Sequence, residues 1–179
     1  MGADIYGVFQ ARKNGKWEDV PSEYNQDRDY LLFAWLGNVG NGFRSTGFIT
    51  PLSDGRGFPE DFLVEGESHH IIWMGEHSYS WVSGEEVINA PSPRVVRHGI
   101  VTKEVFEKWD GKSKPENWKS VIYGAHVNVS TPDTINEHTT HVRIEWEEDA
   151  TDELSYFVNE MKRLVEKHGE VRFVFGFDS

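Results

Sequence analysis

The chain has 179 residues, with 18 basic and 30 acidic side chains, a formal net charge of −12, seven tryptophans and no cysteine. That length suffices for one domain with a substantial core. The absence of cysteine excludes disulfides, thiolate nucleophiles and cysteine-ligated metals, and the negative charge opposes binding to a nucleic-acid backbone.

The opening Met1-Gly2-Ala3-Asp4-Ile5-Tyr6 lacks a basic segment followed by an apolar one, and no apolar run approaches the roughly 18 residues of a membrane span. A cytoplasmic protein without membrane contact is therefore expected. Residues 4–20 predict a hairpin, because apolar alternation is interrupted by Asn14-Gly15, a pair that tolerates the positive φ of a type I′ turn. Tyr30 to Leu36 predicts a short helix with Asp27 or Asp29 at its start and Gly37 at its end. Residues 38–57 are rich in glycine and predict loops, with Phe43, Phe48 and Ile49 arguing for order.

Pro59 opens a helical turn, and His70 to Met74 is strand-like. Ser83 and Glu86 form a capping box for a helix over 84–89, and Thr102 caps a helix from Lys103 to Trp109 after a strand over 94–100. Residues 119–130 and 139–147 predict two further strands, paired as a hairpin. The best helix is capped by Thr151, carries Leu154, Phe157, Met161 and Leu164 at helical spacing and stops at Gly169. Val171 to Phe175 then alternates as a last strand. The expected fold is a single α+β domain over 1–179, with a largely antiparallel sheet, several short helices and one long C-terminal helix.

The densest chemistry lies between Ser68 and Trp81, where His69, His70, His77, Trp73, Tyr79 and Trp81 mix aromatic faces with titratable rings. The histidines and neighbouring Glu67 and Glu76 match no metal-ligand spacing, and adjacent histidines on a strand point to opposite faces, so no metal or cofactor is expected. His126-Val-Asn128 and His141-Val-Arg143 are similar to the paired His-x-Thr/Ser motifs of 2H phosphoesterases, but lack both hydroxyls. No Gly-x-Ser-x-Gly elbow exists for a serine nucleophile. Gly37 to Gly42 follows a helix and so is no Walker or Rossmann loop; an anion nest flanked by Arg44 and Arg56 is the alternative to plain turns. The acid run from Glu145 to Glu153 reads mainly as a solvated strand end and helix start.

Five pieces occur in order in the first half: Met1-Gly2-Ala3-Asp4-Ile5-Tyr6, Trp17, Arg28-Asp29-Tyr30-Leu31-Leu32-Phe33, Arg56-Gly57-Phe58-Pro59-Glu60-Asp61 and His77-Ser78-Tyr79-Ser80-Trp81. Together they resemble a family of small bacteriophage-encoded proteins that open Met-Gly-x-Asp-Ile-His. The family's histidine is Tyr6 here, and a phenol with a pKa near 10 is poorly suited to neutral acid–base work, which favours a binder over an enzyme. The resemblance implies a counter-defence protein of the host cytoplasm, homo-oligomeric, that sequesters a nucleotide-derived immune signal of the cyclic ADP-ribose or cyclic dinucleotide type. Asp4, Tyr6, Trp35, Arg44, Arg56, Trp73, His77, Tyr79 and Trp81 are the expected ligand-binding residues. Two alternatives are a hydrolase with His77 and Asp4 as acid–base groups, and an acidic inhibitor of a host defence protein acting through Glu147, Glu148 and Asp149.

Overall fold

The computed structural model describes residues 2–44, 47–62 and 74–179. Its elements run β1 (Asp4–Lys13), β2 (Lys16–Val20), α1 (Tyr30–Gly37), β3 (Gly47–Ile49), β4 (His77–Ser83), α2 (Gly84–Asn89), β5 (Arg94–Thr102), α3 (Lys103–Lys108), β6 (Val129–Ser130), β7 (His141–Asp149), α4 (Thr151–His168) and β8 (Val171–Asp178). The strands divide over two sheets, β2-β1-β8-β4 and β3-β5-β7-β6; all pairing is antiparallel except β6 with β7. The α+β class, the antiparallel bias and the long C-terminal helix are as the sequence predicts.

The last strand organises the first sheet. Its residues alternate between two faces, yet Val171 to Phe177 are all buried. Phe173, Phe175 and Phe177 point inward, where α4 lays Leu154, Phe157, Met161 and Leu164 against them and α1 adds Phe33 and Trp35. Each phenylalanine removed from water there contributes about 2 kcal/mol. Ile49 of β3 and Val95 of β5 join the same core, which ties the second sheet to the first. Val174 faces outward under Phe58, Phe62, Met74, Tyr79 and Trp81.

Most local signals act as expected. Asn14 and Gly15 take φ of 52° and 79° at the hairpin turn, the Asp29 carboxylate accepts the Leu32 N–H, and Ser83 and Glu86 close their capping box. Asn38, not Gly37, adopts the left-handed conformation that ends α1. At α4 the cap position is Ala150, and the Asp149 carboxylate rather than the Thr151 hydroxyl holds the first turn, accepting the Thr151 N–H at 2.7 Å.

Two expectations are corrected. Residues 47–49, read as loop, form β3 on the free edge of β5. Residues 119–130 do not pair as a hairpin with β7: only Val129–Ser130 is a strand, and it runs parallel to β7. Val121 and Tyr123 are 54% and 90% exposed, so this stretch has β-forming side chains with no surface to bury them, and propensity alone does not make a strand. The strand expected from His70 lies outside the described residues up to Met74.

Candidate functional site

The outer face of the first sheet carries the strongest constellation. In register, Gln10 of β1, Arg172 of β8 and Ser83 of β4 lie side by side. Arg172 is 3% exposed, so its guanidinium requires compensation. Its Nε donates to Gln10 Oε1 at 2.9 Å and its Nη1 to Asp61 Oδ1 at 2.6 Å, while Nη2 has no partner among the described residues. The Trp17 ring stacks on the guanidinium with 4.1 Å between Cζ and ring centroid, and Trp17 Nε1 donates to the other oxygen of Asp61 at 2.9 Å. Gln10 in turn donates to Asp19 at 2.9 Å. Burial pulls the Arg172 pKa below its ordinary value, and Asp61 opposes that shift.

Across the same face, the Arg56 guanidinium lies 5.2 Å from the Trp81 ring. It forms a bidentate pair with Glu86 at 2.9 and 2.6 Å and donates to the carbonyls of Trp81 and Leu52. Burial pulls the Glu86 carboxyl up, but the Arg56 hydrogen bond and the Ser83 N–H outweigh it and leave the pKa below the usual glutamate value. An open groove of about 680 Å³ runs between these two stacks, and both indoles and Phe58 line it. Among the described residues, three arginines (Arg12, Arg56, Arg172) there meet four carboxylates (Glu60, Asp61, Glu86, Glu170), which do not make the locally positive pocket that phosphate binding by a −12 chain would favour. Arg12 is the least committed guanidinium, its side chain 49% exposed and only 3.7 Å from Glu170.

Of the nine predicted ligand residues, Arg56, Tyr79 and Trp81 are brought together. Tyr79 stacks on Phe58 with centroids 4.5 Å apart and donates to the Gly75 carbonyl at 2.8 Å. Asp4 and Tyr6 share this face but lie towards the end of the sheet, opposite Asp178 and Gly176. Asp4 is clamped by the Arg28 guanidinium, whose hydrogen bond lowers its pKa, and Tyr6 is tied to Asp178, which raises its own. Trp35 is 3% exposed in α1 on the inner face. Arg44 sits over Tyr30, 5.9 Å from the ring centroid. Trp73, with His69 and His70, lies outside the described residues.

His77 is opposite Phe177 and Asp4 opposite Asp178, so successive residues of β8 place them on opposite faces. The ring nitrogens of His77 meet Ser78 Oγ at 2.9 Å and Ser179 Oγ at 3.2 Å. An acid–base dyad of His77 and Asp4 is therefore not assembled. Among the described residues of the glycine loop, the N–H groups of Gly42, Phe43 and Arg44 close on the carbonyls of Gly47 and Gly40 rather than standing open as an anion nest. In the acid run, Glu147, Glu148 and Glu153 are engaged by Arg94 and Arg97. Among the described residues, no three histidine or acidic side chains gather as a metal site, and no helix is long and apolar enough to cross a membrane.

Trp17, Arg172, Asp61 and Gln10 are the site residues that sequence reasoning missed. A signal was present: Val171 to Phe177 is apolar at both odd and even positions, which marks a strand covered on both sides. A lone arginine in such a strand must be buried with a partner. Compared with protein-family models, curated proteins and solved structures, the chain matches none of them.

Proposed function

We propose that the chain binds a planar, ring-bearing small molecule of the nucleotide class in the groove between Trp17 and Trp81, and holds it without cleaving it. One observation carries this reading: two half-buried indoles, each backed by a guanidinium, border a single open groove. The guanidinium behind each ring fixes its orientation, and a base stacked on such a platform gains about 1–3 kcal/mol. Since Arg56 and Arg172 are already engaged in short hydrogen-bonded pairs, stacking dominates recognition, and Arg12, held by the longer 3.7 Å pair with Glu170, is the group that meets one phosphate. In the setting implied by the resemblance to bacteriophage proteins, the ligand is a nucleotide-derived immune signal, and a homo-oligomer sequesters it in the host cytoplasm. Binding is favoured over hydrolysis because His77 and Asp4 are on opposite faces.

Native mass spectrometry with ADP-ribose, cyclic di-AMP and AMP as probes, followed by heat denaturation, tests this. The expected result is a retained mass that is released intact, with affinity falling about 5- to 150-fold in Trp81→Ala. Arg12→Ala should weaken AMP but not adenosine. Release of cleaved product would overturn sequestration, and retention of none of the probes would overturn the nucleotide reading.

A further inference from the structure

A second open groove, also of about 680 Å³, lies between the β2–α1 connection and α4, and its lining is the more strongly acidic of the two. Tyr24, Tyr30 and Tyr156 line it together with Glu23, Asp27 and Asp29. The one arginine on its wall, Arg28, is already clamped by both carboxylate oxygens of Asp4. The rings of Tyr24 and Tyr156 stack at 6.2 Å, and the Tyr156 hydroxyl donates to Asp29 Oδ2 at 2.9 Å while 43% of that residue remains exposed.

Tyr24 forms the inner wall of this groove. It is nine-tenths buried, its ring packed against Phe9, Phe157 and Phe173, and its hydroxyl has no hydrogen-bond partner among the described residues. An orphaned buried hydroxyl costs on the order of 1–3 kcal/mol. Burial first, then the charges of Asp29 and Asp27, push the Tyr24 phenol well above its ordinary pKa. The same two carboxylates push Tyr156 up after burial. A neutral phenol in a negative potential presents lone pairs to an N–H donor, and its ring face attracts positive charge.

We infer that this groove takes an organic cation, an alkylammonium or guanidinium group, against the tyrosine rings with Asp27 and Asp29 as counter-charges. The chain already places one guanidinium this way, since Arg44 rests over Tyr30. Phosphate-bearing ligands are repelled from the same surface. The inference does not depend on the indole groove, because none of its lining residues is shared.

Amide chemical shifts titrated with N-methylguanidinium and tetramethylammonium chloride, against sodium chloride at equal ionic strength, test it. Saturable shifts confined to residues 23–30 and 156 are expected with the organic cations and absent with sodium. Tyr156→Leu and Asp27→Asn should each weaken them about fivefold or more. Asp27 is exposed, accepts from the Asn25 side chain and caps no helix, so its variant tests the site even where Tyr156→Leu disturbs packing. Linear, unsaturated shifts, or equal affinity in Asp27→Asn, would overturn the inference. A Gly-Arg-Gly peptide that binds more tightly than N-methylguanidinium would place the cation on a protein partner, and equal affinity would place it on a free small molecule.

Discussion

The Arg172 guanidinium and the Trp17 ring are stacked 4.1 Å apart and share one carboxylate, Asp61, which accepts a hydrogen bond from each. Three chain segments far apart in sequence are joined by that one side chain. Removing it strands a buried positive charge, whereas replacing the arginine by an apolar residue of similar length removes both the charge and its need for a partner. Asp61→Ala should therefore lower stability by about 3 kcal/mol, the low end of the cost of stranding a buried ion because Asp61 itself is solvent-exposed. Arg172→Met should cost less, and the double variant should be closer to Arg172→Met than the sum of the two losses. Urea denaturation of the four proteins measures this; simple additivity would show that the pair is not coupled.

Glu86 serves two structures at once, closing the capping box of α2 and holding Arg56 against Trp81. Glutamine satisfies the first role but not the second. Glu86→Gln should cost under about 1 kcal/mol of stability, as expected of a partly exposed ion pair, yet free Arg56 and change groove affinity. Glu86→Ala should cost about 1–2 kcal/mol, because the helix start is lost as well. If both variants shift the thermal midpoint equally, the capping contribution is negligible.

What could be read from the sequence divides along the range of the interaction. Asp29, Ser83 with Glu86, Thr102 and Asn14-Gly15 act on backbone groups within four residues, so their effect is written locally and their helices and turn form as expected. The indole groove depends instead on which residues β8 brings opposite Gln10 and Ser83, and pairing register is a property of the whole sheet. Trp81 and Arg56 were recognisable by chemical type, and their contact was not. Gathering Trp35 with them fails because α1 packs on the inner face, where a fully apolar helix must go.

Gly176 marks where the outer face is packed most tightly. A Cβ built there would lie 2.1 Å from the Met74 carbonyl oxygen and 2.6 Å from the Tyr79 ring. The backbone oxygen cannot swing aside, so Gly176→Ala should cost about 1–3 kcal/mol by overpacking, and should displace Tyr79 from Phe58. Gly15→Ala, with nothing within 4 Å but a φ of 79°, should cost about 1 kcal/mol and leave the groove unchanged. Thermal melts and tyrosine fluorescence distinguish the two; an unchanged Tyr79 environment in Gly176→Ala would contradict the steric account.

Glu160 contributes to the acid side of the stability profile. Its carboxylate accepts from Arg163, from the Glu23 N–H at 2.8 Å and from the Ser22 hydroxyl at 2.9 Å, so it pins residues 22–24 to α4. The Arg163 hydrogen bond, opposed by burial and aided by the other two donors, pulls its pKa down to about 2. A carboxyl depressed in the folded state stabilises the fold above its unfolded pKa of about 4.3, and that contribution fades as pH falls from there towards 2. Stability of the native chain should therefore decline steeply between about pH 5 and 2. Glu160→Gln should be less stable at pH 7, show a flatter decline over that window, and approach the native chain near pH 2. Because the same bonds position Tyr24, this variant should also weaken N-methylguanidinium binding at neutral pH. Urea midpoints at pH 7, 5, 3 and 2 provide the measurement, and parallel profiles for the two proteins would assign the acid transition to other carboxylates.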